Sequence, residues 1–243
     1  MNLGPMIDVL SHRIVGVIGG MGPEATLNFL VTMLRLTSSA RTDQEHVPTL
    51  VYNDPRIPDR NLAYIGAGPS PEPMLVKIAR SLECAGADFL VMPCNTAHIY
   101  ASAIRNATSL PFIDMIEVTG DAVAVAHPSV RAVGLLATPA CTASGLYFNA
   151  MAKRGIALVT LSELDEKTLT EIIYAVKAGS SSDCERQGAQ RLAMELIERG
   201  AGAIIAACTE LPFVLKQTDL PCPLIDSTFA LAERSVRYAK RGF

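Results

Sequence analysis

Two short segments of this sequence place a cysteine at the end of an apolar run, with polar residues directly after it. Residues 86–96 begin with a glycine and reach Cys94, and residues 200–210 repeat the same order and reach Cys208. Each apolar run is typical of a buried strand in a parallel sheet. Two similar half-structures that each deliver one thiol could place them on opposite faces of one small molecule. That arrangement suits the removal of a proton from one side of a carbon and its return to the other side.

The neighbours of Cys94 strengthen its candidacy. None of the six cysteines has CxxC spacing, so we expect free thiols in a reducing compartment, most of them small buried side chains. A helix is predicted to start beside Cys94, and the positive end of its dipole favours a thiolate. Asn95 or Thr96 can cap this helix or donate a hydrogen bond to a ligand carboxylate. His98 lies on the same helical face, where it could ligate a metal or, as we expect, pack and form a supporting hydrogen bond.

A glycine-rich loop follows the first apolar run. Its sequence GMGPEA at residues 20–25 fits the GxGxxA variant of the dinucleotide-binding fingerprint, but the acidic residue expected about 20 positions later is absent. The backbone amides of this loop and of the helix after it favour an anion. The residues alone leave three interpretations open, which are a dinucleotide site, a plain tight turn and, as we favour, a pocket for a small carboxylate.

Two cationic regions are further candidates. The loop 53–60 is stiffened by two prolines, and either Arg56 or Arg60 could clamp a carboxylate through two parallel hydrogen bonds. Lys177 stands near the end of a predicted helix, where a lysine ordinarily complements the helix dipole.

Composition excludes several classes of function. The chain has 243 residues, of which 49% are hydrophobic, and 21 basic against 24 acidic residues give a net charge of −3. This charge leaves no electrostatic footprint for nucleic acid or an anionic membrane. No stretch approaches the roughly 18 consecutive apolar residues of a transmembrane helix. Residues 1–13 lack the apolar core of a signal peptide, so we expect a flexible leader there and a cytoplasmic protein.

Apolar runs alternate with helical patterns along the chain, which predicts an α/β fold with parallel sheets. The predicted strands are 14–18, 49–53, 89–92, 112–113, 132–136, 157–160, 203–206 and 223–225. The predicted helices are 23–39, 70–85, 97–107, 117–126, 140–154, 164–178, 183–199 and 227–240.

The two halves of the sequence repeat one another. Three pairs of similar segments occur in the same order, which indicates a gene duplication rather than features shared by any two α/β halves. Ligands bind at the carboxyl ends of parallel strands, and both cysteines fall at such ends. The paired segments are 15–18 with 133–136, 86–90 with 200–204, and 110–114 with 220–226.

Taken together, these motifs resemble the aspartate/glutamate racemase family, and in particular its aspartate racemase branch. The resemblance covers nearly the whole chain from Ile14 to the C-terminal helix. The segments that carry it are 19–26, 57–60, 92–98, 177–179, 208–210 and 223–226.

The resemblance implies two pseudo-symmetric, Rossmann-like parallel-sheet domains that face each other across a cleft, in chains that pair as homodimers. It implies racemisation of a small dicarboxylic amino acid with no cofactor, neither pyridoxal phosphate nor a metal. One of Cys94 and Cys208 would remove the α-proton as a thiolate, and the other would return a proton to the opposite face. With the repeat, it places residues 14–111 and 225–243 in the first domain and 112–224 in the second.

The remaining site residues follow from the same resemblance. Arg60 and Lys177 would bind the side-chain carboxylate of the substrate, a role that the position of the lysine alone does not suggest. The α-carboxylate and amine would be held by Met21, Asn95, Thr96, Thr138 and Thr209.

Two departures from the glutamate racemase pattern favour aspartate as the substrate. Gly20 and Met21 replace an Asp-Ser pair, and Glu210 replaces a histidine after the second Cys-Thr. The alternatives are racemisation of glutamate, hydantoins or many amino acids, a related decarboxylation, and a two-lobed carboxylate-binding module without turnover. Any racemase must also stabilise a carbanion with hydrogen bonds and cations, because an α-proton is only weakly acidic.

Overall fold

The computed structural model of the protein describes residues 12–240, which contain two sheets flanked by helices. Within these residues no helix is long and apolar enough to cross a membrane. The strands are β1 (Val15–Gly19), β2 (Thr49–Asn53), β3 (Phe89–Val91), β4 (Phe112–Ile113), β5 (Ala132–Leu136), β6 (Ala157–Thr160), β7 (Ala203–Ala206) and β8 (Leu224–Asp226). The α-helices are α1 (Pro23–Leu36), α2 (Arg60–Tyr64), α3 (Glu72–Cys84), α4 (Ala101–Ala107), α5 (Met115–Ala126), α6 (Pro139–Ala143), α7 (Leu146–Ala152), α8 (Glu163–Lys177), α9 (Asp183–Glu198), α10 (Leu211–Val214) and α11 (Ser227–Ala239). Short 3₁₀ helices span Asp43–Glu45, Thr96–Tyr100 and Gln217–Asp219.

The second sheet repeats the topology of the first. The strand order is β2-β1-β3-β4 in one sheet and β6-β5-β7-β8 in the other, and all neighbouring strands are parallel. In the first sheet Val17 of β1 pairs with Val51 on one side and with Val91 on the other. The predicted α/β class with two parallel-sheet halves is confirmed, and each predicted strand appears within one residue of its expected bounds.

Apolar side chains on both faces of the sheets explain these positions. All five residues of β1 are buried, as expected for a parallel strand covered by helices on both faces. Helix α3 buries the stripe Leu75, Ile78, Ala79 and Leu82, which has the spacing of an amphipathic helix. Full burial of one such leucine or isoleucine stabilises the fold by about 1.5–3 kcal/mol relative to an exposed side chain.

The chain connects the two halves through α5 and α11. Strand β4 pairs with β3 in the first sheet, and α5 then packs Ile116 and Val123 into the core beside β5. Strand β8 pairs with β7 in the second sheet, and α11 returns to pack Leu231 and Val236 against Val15 of the first. The domain limits proposed from the sequence stay a prediction.

Most of the predicted leader, residues 1–11, lies outside the described residues. In the part that is described, the backbone N–H of Arg13 donates to the carbonyl of Ala239 at 2.9 Å. The guanidinium of Arg13 donates to the carbonyl of Tyr238 at the same distance. These two hydrogen bonds tie the start of β1 to the end of α11.

Several helices differ from the sequence pattern. The pattern over 140–154 predicts one helix, but the structure has α6 and α7, separated at Gly145, whose φ of 71° is left-handed. The helix predicted over 97–107 begins as a 3₁₀ turn before α4. Helices α2 and α10 were not predicted, because they are too short to show a periodic pattern.

Candidate active site

A small cavity lies between the two halves, at the carboxyl ends of their strands. It is narrow, and residues of both halves line it. All nine residues that the sequence places in the site are brought together there. They are Met21, Arg60, Cys94, Asn95, Thr96, Thr138, Lys177, Cys208 and Thr209, and Asn61, Ala207 and Glu210 complete the lining.

The two cysteines occupy equivalent places in the two halves. Cys94 follows β3 and Cys208 follows β7, and these strands hold the same position in their sheets. The residues are 6% and 7% exposed, respectively, so both thiols are largely shielded from bulk water. The repeat of the sheet is therefore what delivers one thiol from each half to a single cavity.

The glycine-rich loop packs its backbone closely against the chain after β2. Gly20 has a φ of 102°, and a Cβ at this position would lie 2.2 Å from the carbonyl oxygen of Asp54, so only glycine fits. The N–H of Gly20 donates to Thr26 Oγ1 at 3.0 Å. This packing places the next residue, Met21, in the cavity wall with 3% of its surface exposed. Gly20 therefore has the conformation of a tight turn, one of the three interpretations of this loop given above.

His98 supports the backbone that carries Cys94. Its Nδ1 lies 2.8 Å from the carbonyl oxygen of Cys94, and its Nε2 accepts the N–H of Met115 at 3.0 Å. Because a carbonyl only accepts and an amide N–H only donates, these partners fix the neutral tautomer with the proton on Nδ1. Burial lowers the pKa of His98 below its ordinary value, in agreement with a neutral ring. This is the supporting hydrogen bond expected from the sequence.

Asn95 belongs to a buried network instead of capping the helix after it. Its Nδ2 donates to Ser227 Oγ at 3.0 Å, and its Oδ1 accepts the hydroxyl of Tyr147 at 2.6 Å. Ser227 in turn donates to the carbonyl of Ala206 at 2.8 Å. The capping role considered for Asn95 is wrong, because its side chain makes no cap hydrogen bond. The network joins the loop after β3 to the second half.

Two threonine hydroxyls meet beside the thiols. Thr96 Oγ1 and Thr138 Oγ1 are 2.9 Å apart, and each residue comes from a different half. Thr138 also caps α6, where its Oγ1 accepts the N–H of Cys141 at 3.4 Å. A hydroxyl group has one donor and two acceptor positions, so this pair presents adaptable hydrogen-bonding groups to the cavity.

The second thiol lies in a cluster of charged groups. Cys208 Sγ donates to Glu210 Oε2 at 3.0 Å, and the hydroxyl of Thr209 donates to the same oxygen at 3.1 Å. Lys177 Nζ lies 3.7 Å from Glu210 Oε1. Burial raises the pKa of the Cys208 thiol well above its ordinary value, Glu210 raises it further, and Lys177 lowers it. Burial acts to lower the pKa of Lys177, but the Glu210 carboxylate raises it overall. Cys208 therefore carries its proton and Lys177 its charge.

The structure separates the two candidate arginines. Arg56 pairs with Asp54 at 2.7 Å, has a side chain that is 79% exposed, and holds the pKa of Asp54 down at about 2. Arg60 is 8% exposed, and its Nη1 donates to two carbonyls of its own loop. The buried Nε of Arg60 has no partner among the described residues, and such an unpaired group costs about 1–3 kcal/mol. Arg60 is therefore the arginine placed to bind a carboxylate.

A hydrogen bond across the two halves links the elements that carry the cations. The hydroxyl of Tyr174 donates to Asp59 Oδ2 at 3.1 Å. Asp59 caps α2 by accepting two of its N–H groups, and Arg60 is the first residue of that helix. Tyr174 lies one turn before Lys177 on α8, and Lys177 Nζ is 5.8 Å from the centre of the tyrosine ring.

Four polar residues around the cavity were not assigned to the site from the sequence. Glu210 and Asn61 line it, and the Oδ1 of Asn61 is buried without a partner among the described residues. Tyr147 and Ser227 hold Asn95 in place. Only Glu210 had a signal in the sequence, because it stands directly after Cys-Thr where the glutamate racemase pattern has a histidine.

A wider groove of about 430 Å³ lies elsewhere, between α5 and α11. It exposes Val125 and Phe229, and none of its lining residues is a cysteine. Across residues 12–240, no group of three or more His, Cys, Asp or Glu side chains is placed to hold a metal ion. The reactive groups converge in the smaller cavity instead.

The smaller cavity combines two thiols, two cations and several hydroxyl groups. Cations and hydrogen-bond donors in a water-poor site stabilise negative charge that develops on a bound carboxylate. The thiols can exchange protons with such a ligand.

Comparison with known proteins assigns the chain to a class. A sequence model of the family described as Asp/Glu/Hydantoin racemase matches residues 18–234. The chain therefore belongs to the Asp/Glu/hydantoin racemase family, and the resemblance predicted from its motifs is confirmed.

Individual relatives show how the chain compares within that family. The solved structure of an aspartate racemase from Picrophilus torridus is 32% identical with a TM-score of 0.83, covering 93% of this chain and 94% of that one. The broad specificity amino-acid racemase RacX of Bacillus subtilis (strain 168) is 28% identical over 227 residues, which are 91% of this chain and 96% of RacX. A glutamate racemase of Desulforudis audaxviator (strain MP104C) is 30% identical over 131 residues, 53% of this chain and 46% of its own. All three relatives are described as racemases, but their substrates differ.

Proposed function

We propose that this protein is a racemase that interconverts L- and D-aspartate, with Cys94 and Cys208 as acid and base. The observation that carries the proposal is a single small cavity to which each half contributes one thiol and one cation. The cation of the first half is Arg60, and that of the second half is Lys177.

The proposed reaction needs two proton transfers on opposite faces of one carbon. One cysteine, as the thiolate, takes the α-proton, so an S–H bond forms while the C–H bond breaks and its electron pair stays on carbon. The other cysteine then gives its proton to the opposite face of the carbanion. The substrate gains and loses one proton, and the two thiols exchange protonation states. They reset by exchange with water or by the reverse reaction.

The carbanion is stabilised by the groups that surround it. The paired hydroxyl groups of Thr96 and Thr138 are available to the α-carboxylate, and that of Thr209 becomes available when it turns away from Glu210. The two cations are available to the negative charge of the substrate. Fixed donors of this kind typically contribute about 3–4 kcal/mol each to stabilisation of a transition state. The burial of both thiols keeps water from the carbanion.

Aspartate is the proposed substrate because the cavity is small and holds two separate cations. Arg60 and Lys177 together can bind the side-chain carboxylate of a dicarboxylic amino acid, and a monocarboxylic amino acid has no such group for them to bind. The similarity to the aspartate racemase of Picrophilus torridus supports this choice. The similarity to RacX supports the alternative of a broader substrate range.

The proposal is tested by incubating each aspartate enantiomer with the protein in D₂O, with no added pyridoxal phosphate or metal. We expect the enantiomers to interconvert and deuterium to appear at Cα. Cys94→Ala and Cys208→Ala should each slow interconversion by about a thousandfold, because each change removes a general acid or base. Cys184→Ala, at an exposed cysteine, is the matched control and should keep full activity. If either cavity variant racemises at the wild-type rate, the two-base scheme is wrong.

Substrate range is tested at the two arginines. Arg60→Ala should lower kcat/KM for aspartate by about a hundredfold with little effect on any turnover of alanine, because only the dicarboxylate uses this cation. Arg56→Ala is the control, since that guanidinium pairs with Asp54 at the surface. Equal losses on both amino acids would favour the broad-specificity alternative. Thermal stabilisation by aspartate without turnover would identify a binding module.

We also propose that two chains pair as a homodimer, as in the family that the sequence resembles. Sedimentation equilibrium should then give twice the mass of one chain at the concentrations used for the kinetic assays. The mass of a single chain under those conditions would contradict the pairing.

A further inference from the structure

Glu210 lies where the second thiol, a cation and the start of α1 meet. Its Oε2 accepts hydrogen bonds from Cys208 and Thr209, and its Oε1 lies 3.7 Å from Lys177. A Cβ on Gly22, just before α1, would lie 3.5 Å from the same Oε1. Glu210 is 5% exposed, so neighbouring protein groups replace water around its carboxylate. Such a carboxylate is retained only where its neighbours compensate for the lost hydration.

The equivalent position in the first half carries no charge. Counted from its cysteine, Thr96 holds the place that Glu210 holds in the second half. Thr96 hydrogen-bonds to the hydroxyl of Thr138, and Glu210 is the only acidic residue among those that line the cavity within residues 12–240. The two thiols therefore meet a substrate from unlike electrostatic surroundings.

We propose that Glu210 is a positioning residue that keeps Cys208 protonated, so that Cys208 enters turnover as the proton donor and Cys94 as the proton acceptor. This inference rests on the proposed racemase function and deepens it by assigning the starting role of each thiol. Cys94 takes the α-proton, and Cys208 gives up the proton that it shares with Glu210. Glu210 itself exchanges no proton. After this step its carboxylate faces a thiolate, and repulsion between like charges makes that form the less stable of the two.

The groups around Cys208 act in opposite directions. Burial and the Glu210 carboxylate raise the pKa of its thiol, and Lys177 lowers it. The other titratable groups that line the cavity are Arg60 and Cys94. Lys177 also pairs with the Glu210 carboxylate, so part of its positive charge is balanced by that group. The thiol form of Cys208 prevails, since burial and Glu210 outweigh the lysine.

Thermodynamics dictates where this asymmetry becomes visible. L- and D-aspartate have the same free energy, so kcat/KM must be equal in the two directions. Of the two forms with one thiolate, the proposal makes the form with Cys208 protonated the more populated. An enantiomer that presents its α-proton to Cys94 binds that form, while the other enantiomer needs the rarer one. The difference therefore appears as unequal KM values, matched by unequal kcat values. Removal of the Glu210 charge makes the populations of the two forms more similar. The ratio of the two KM values and the ratio of the two kcat values then both move closer to one.

A direct test measures the charge of Cys208 and needs no turnover. The ultraviolet absorbance of thiolate is followed against pH, and the curve of the same protein with Cys208→Ser is subtracted. Glu210→Gln should lower the pH at which Cys208 ionises by about one unit, a tenfold change in the equilibrium. Glu210→Asp keeps the charge and should stay nearer to the wild type. Glu198→Gln, at an exposed carboxylate outside the cavity, is the control for net charge.

Kinetics provide the second measurement. Glu210→Gln should move the ratio of the two KM values toward one by about fivefold, and Glu210→Asp should restore most of the wild-type ratio. An unchanged ionisation of Cys208 in Glu210→Gln, an equal shift in Glu198→Gln, or an unchanged KM ratio would each overturn the inference. A wild-type protein without racemase activity would refute the proposed function and leave the titration of Cys208 readable, so the two failures are distinguishable.

Discussion

Around Cys94 the first half builds a network of neutral groups, whereas around Cys208 the second half builds a cluster of charges. His98 is neutral and supports the carbonyl of Cys94, and the adjacent Asn95 is held through its amide group. Cys208 donates its thiol proton to the Glu210 carboxylate. The strands that carry the two cysteines nevertheless hold the same position in their sheets.

The contrast shows which properties a duplicated fold keeps and which it changes. Sheet order and strand length place both thiols, and these depend on the buried apolar residues of the strands and of the helices packed against them. The proton affinity of a thiol depends on charges within a few ångströms, so a single residue two positions along the chain can change it. Duplication therefore reproduces the geometry of the site, while local sequence makes the two thiols unequal.

Among the changes that test this contrast between the two halves, removal of the lysine of the charged cluster has the largest expected effect. Lys177→Met removes the cation that lowers the pKa of Cys208, so we expect about a hundredfold loss of kcat/KM on aspartate and a shift of the pH profile to higher pH. Arg60→Met removes the other cation and should cause a similar loss without that shift. Steady-state kinetics over about pH 6 to 9 measure both. Equal shifts in the two variants would break the comparison, because Arg60 would then act on Cys208 as well.

A smaller effect is expected at the hydrogen bond by which Tyr147 of the second half supports Asn95 of the first half. Tyr147→Phe removes the hydroxyl that donates to the buried Oδ1 of Asn95 and keeps the ring. We expect the free energy of unfolding to fall by about 1–3 kcal/mol, because a buried acceptor loses its partner. Urea denaturation measures this change. Tyr64→Phe, at an exposed tyrosine, is the control and should change stability by less than about 0.5 kcal/mol. A similar loss in both variants would contradict the assignment.

The smallest effect concerns the pH dependence of stability. Burial holds the pKa of His98 below its ordinary value of 6.5. As the pH falls, His98 is therefore protonated in the unfolded chain at a higher pH than in the folded protein. Its contribution to stability is therefore present above about pH 6.5 and is lost as pH falls below it. Between about pH 7.5 and 5.5 the wild type should lose about 1 kcal/mol that His98→Gln does not lose.

Denaturation of both proteins at the two pH values checks this difference. Asp114, the carboxylate 4.0 Å from the His98 ring, has a pKa below its ordinary value of 3.8 and does not titrate in that range. Burial acts to raise the pKa of Asp114, but its hydrogen bonds to Arg105 and to the backbone of Glu117, together with the Arg105 charge, lower it overall. The same pH dependence in both proteins would show that His98 is not the group responsible.

Much of the fold could be predicted from the sequence, because buried parallel strands are short apolar runs with clear ends. The run that forms β7 is recognisable from its residues alone, and so is its counterpart β3. The break between α6 and α7 could not be predicted, since the left-handed backbone of Gly145 leaves the apolar pattern on both sides intact. Helix α10 has four residues, which is about one turn and too short for a period to show.

The residues in the cavity wall were also predictable, from motifs at strand ends and from the family resemblance. Their partners were not, because those contacts join residues that are distant in sequence. Tyr147 is 52 positions from Asn95, and Ser227 is 132 positions from it. The difference between Arg56 and Arg60 likewise depends on which of the two guanidinium groups pairs with Asp54, and the adjacent sequence does not indicate that this is Arg56.

The hydrogen bond between Tyr174 and Asp59 has a consequence for the length of ligand that the protein accepts. Arg60 follows Asp59 directly, and Lys177 follows Tyr174 by one helical turn, so this bond couples the distance between the two cations to the packing of the two halves. That distance determines where the side-chain carboxylate of a bound dianion can contact both cations, and therefore how long the dianion can be. A single extra methylene group usually changes binding by about 1–3 kcal/mol. Discrimination between dianions of neighbouring length therefore depends on a contact that lies outside the cavity itself.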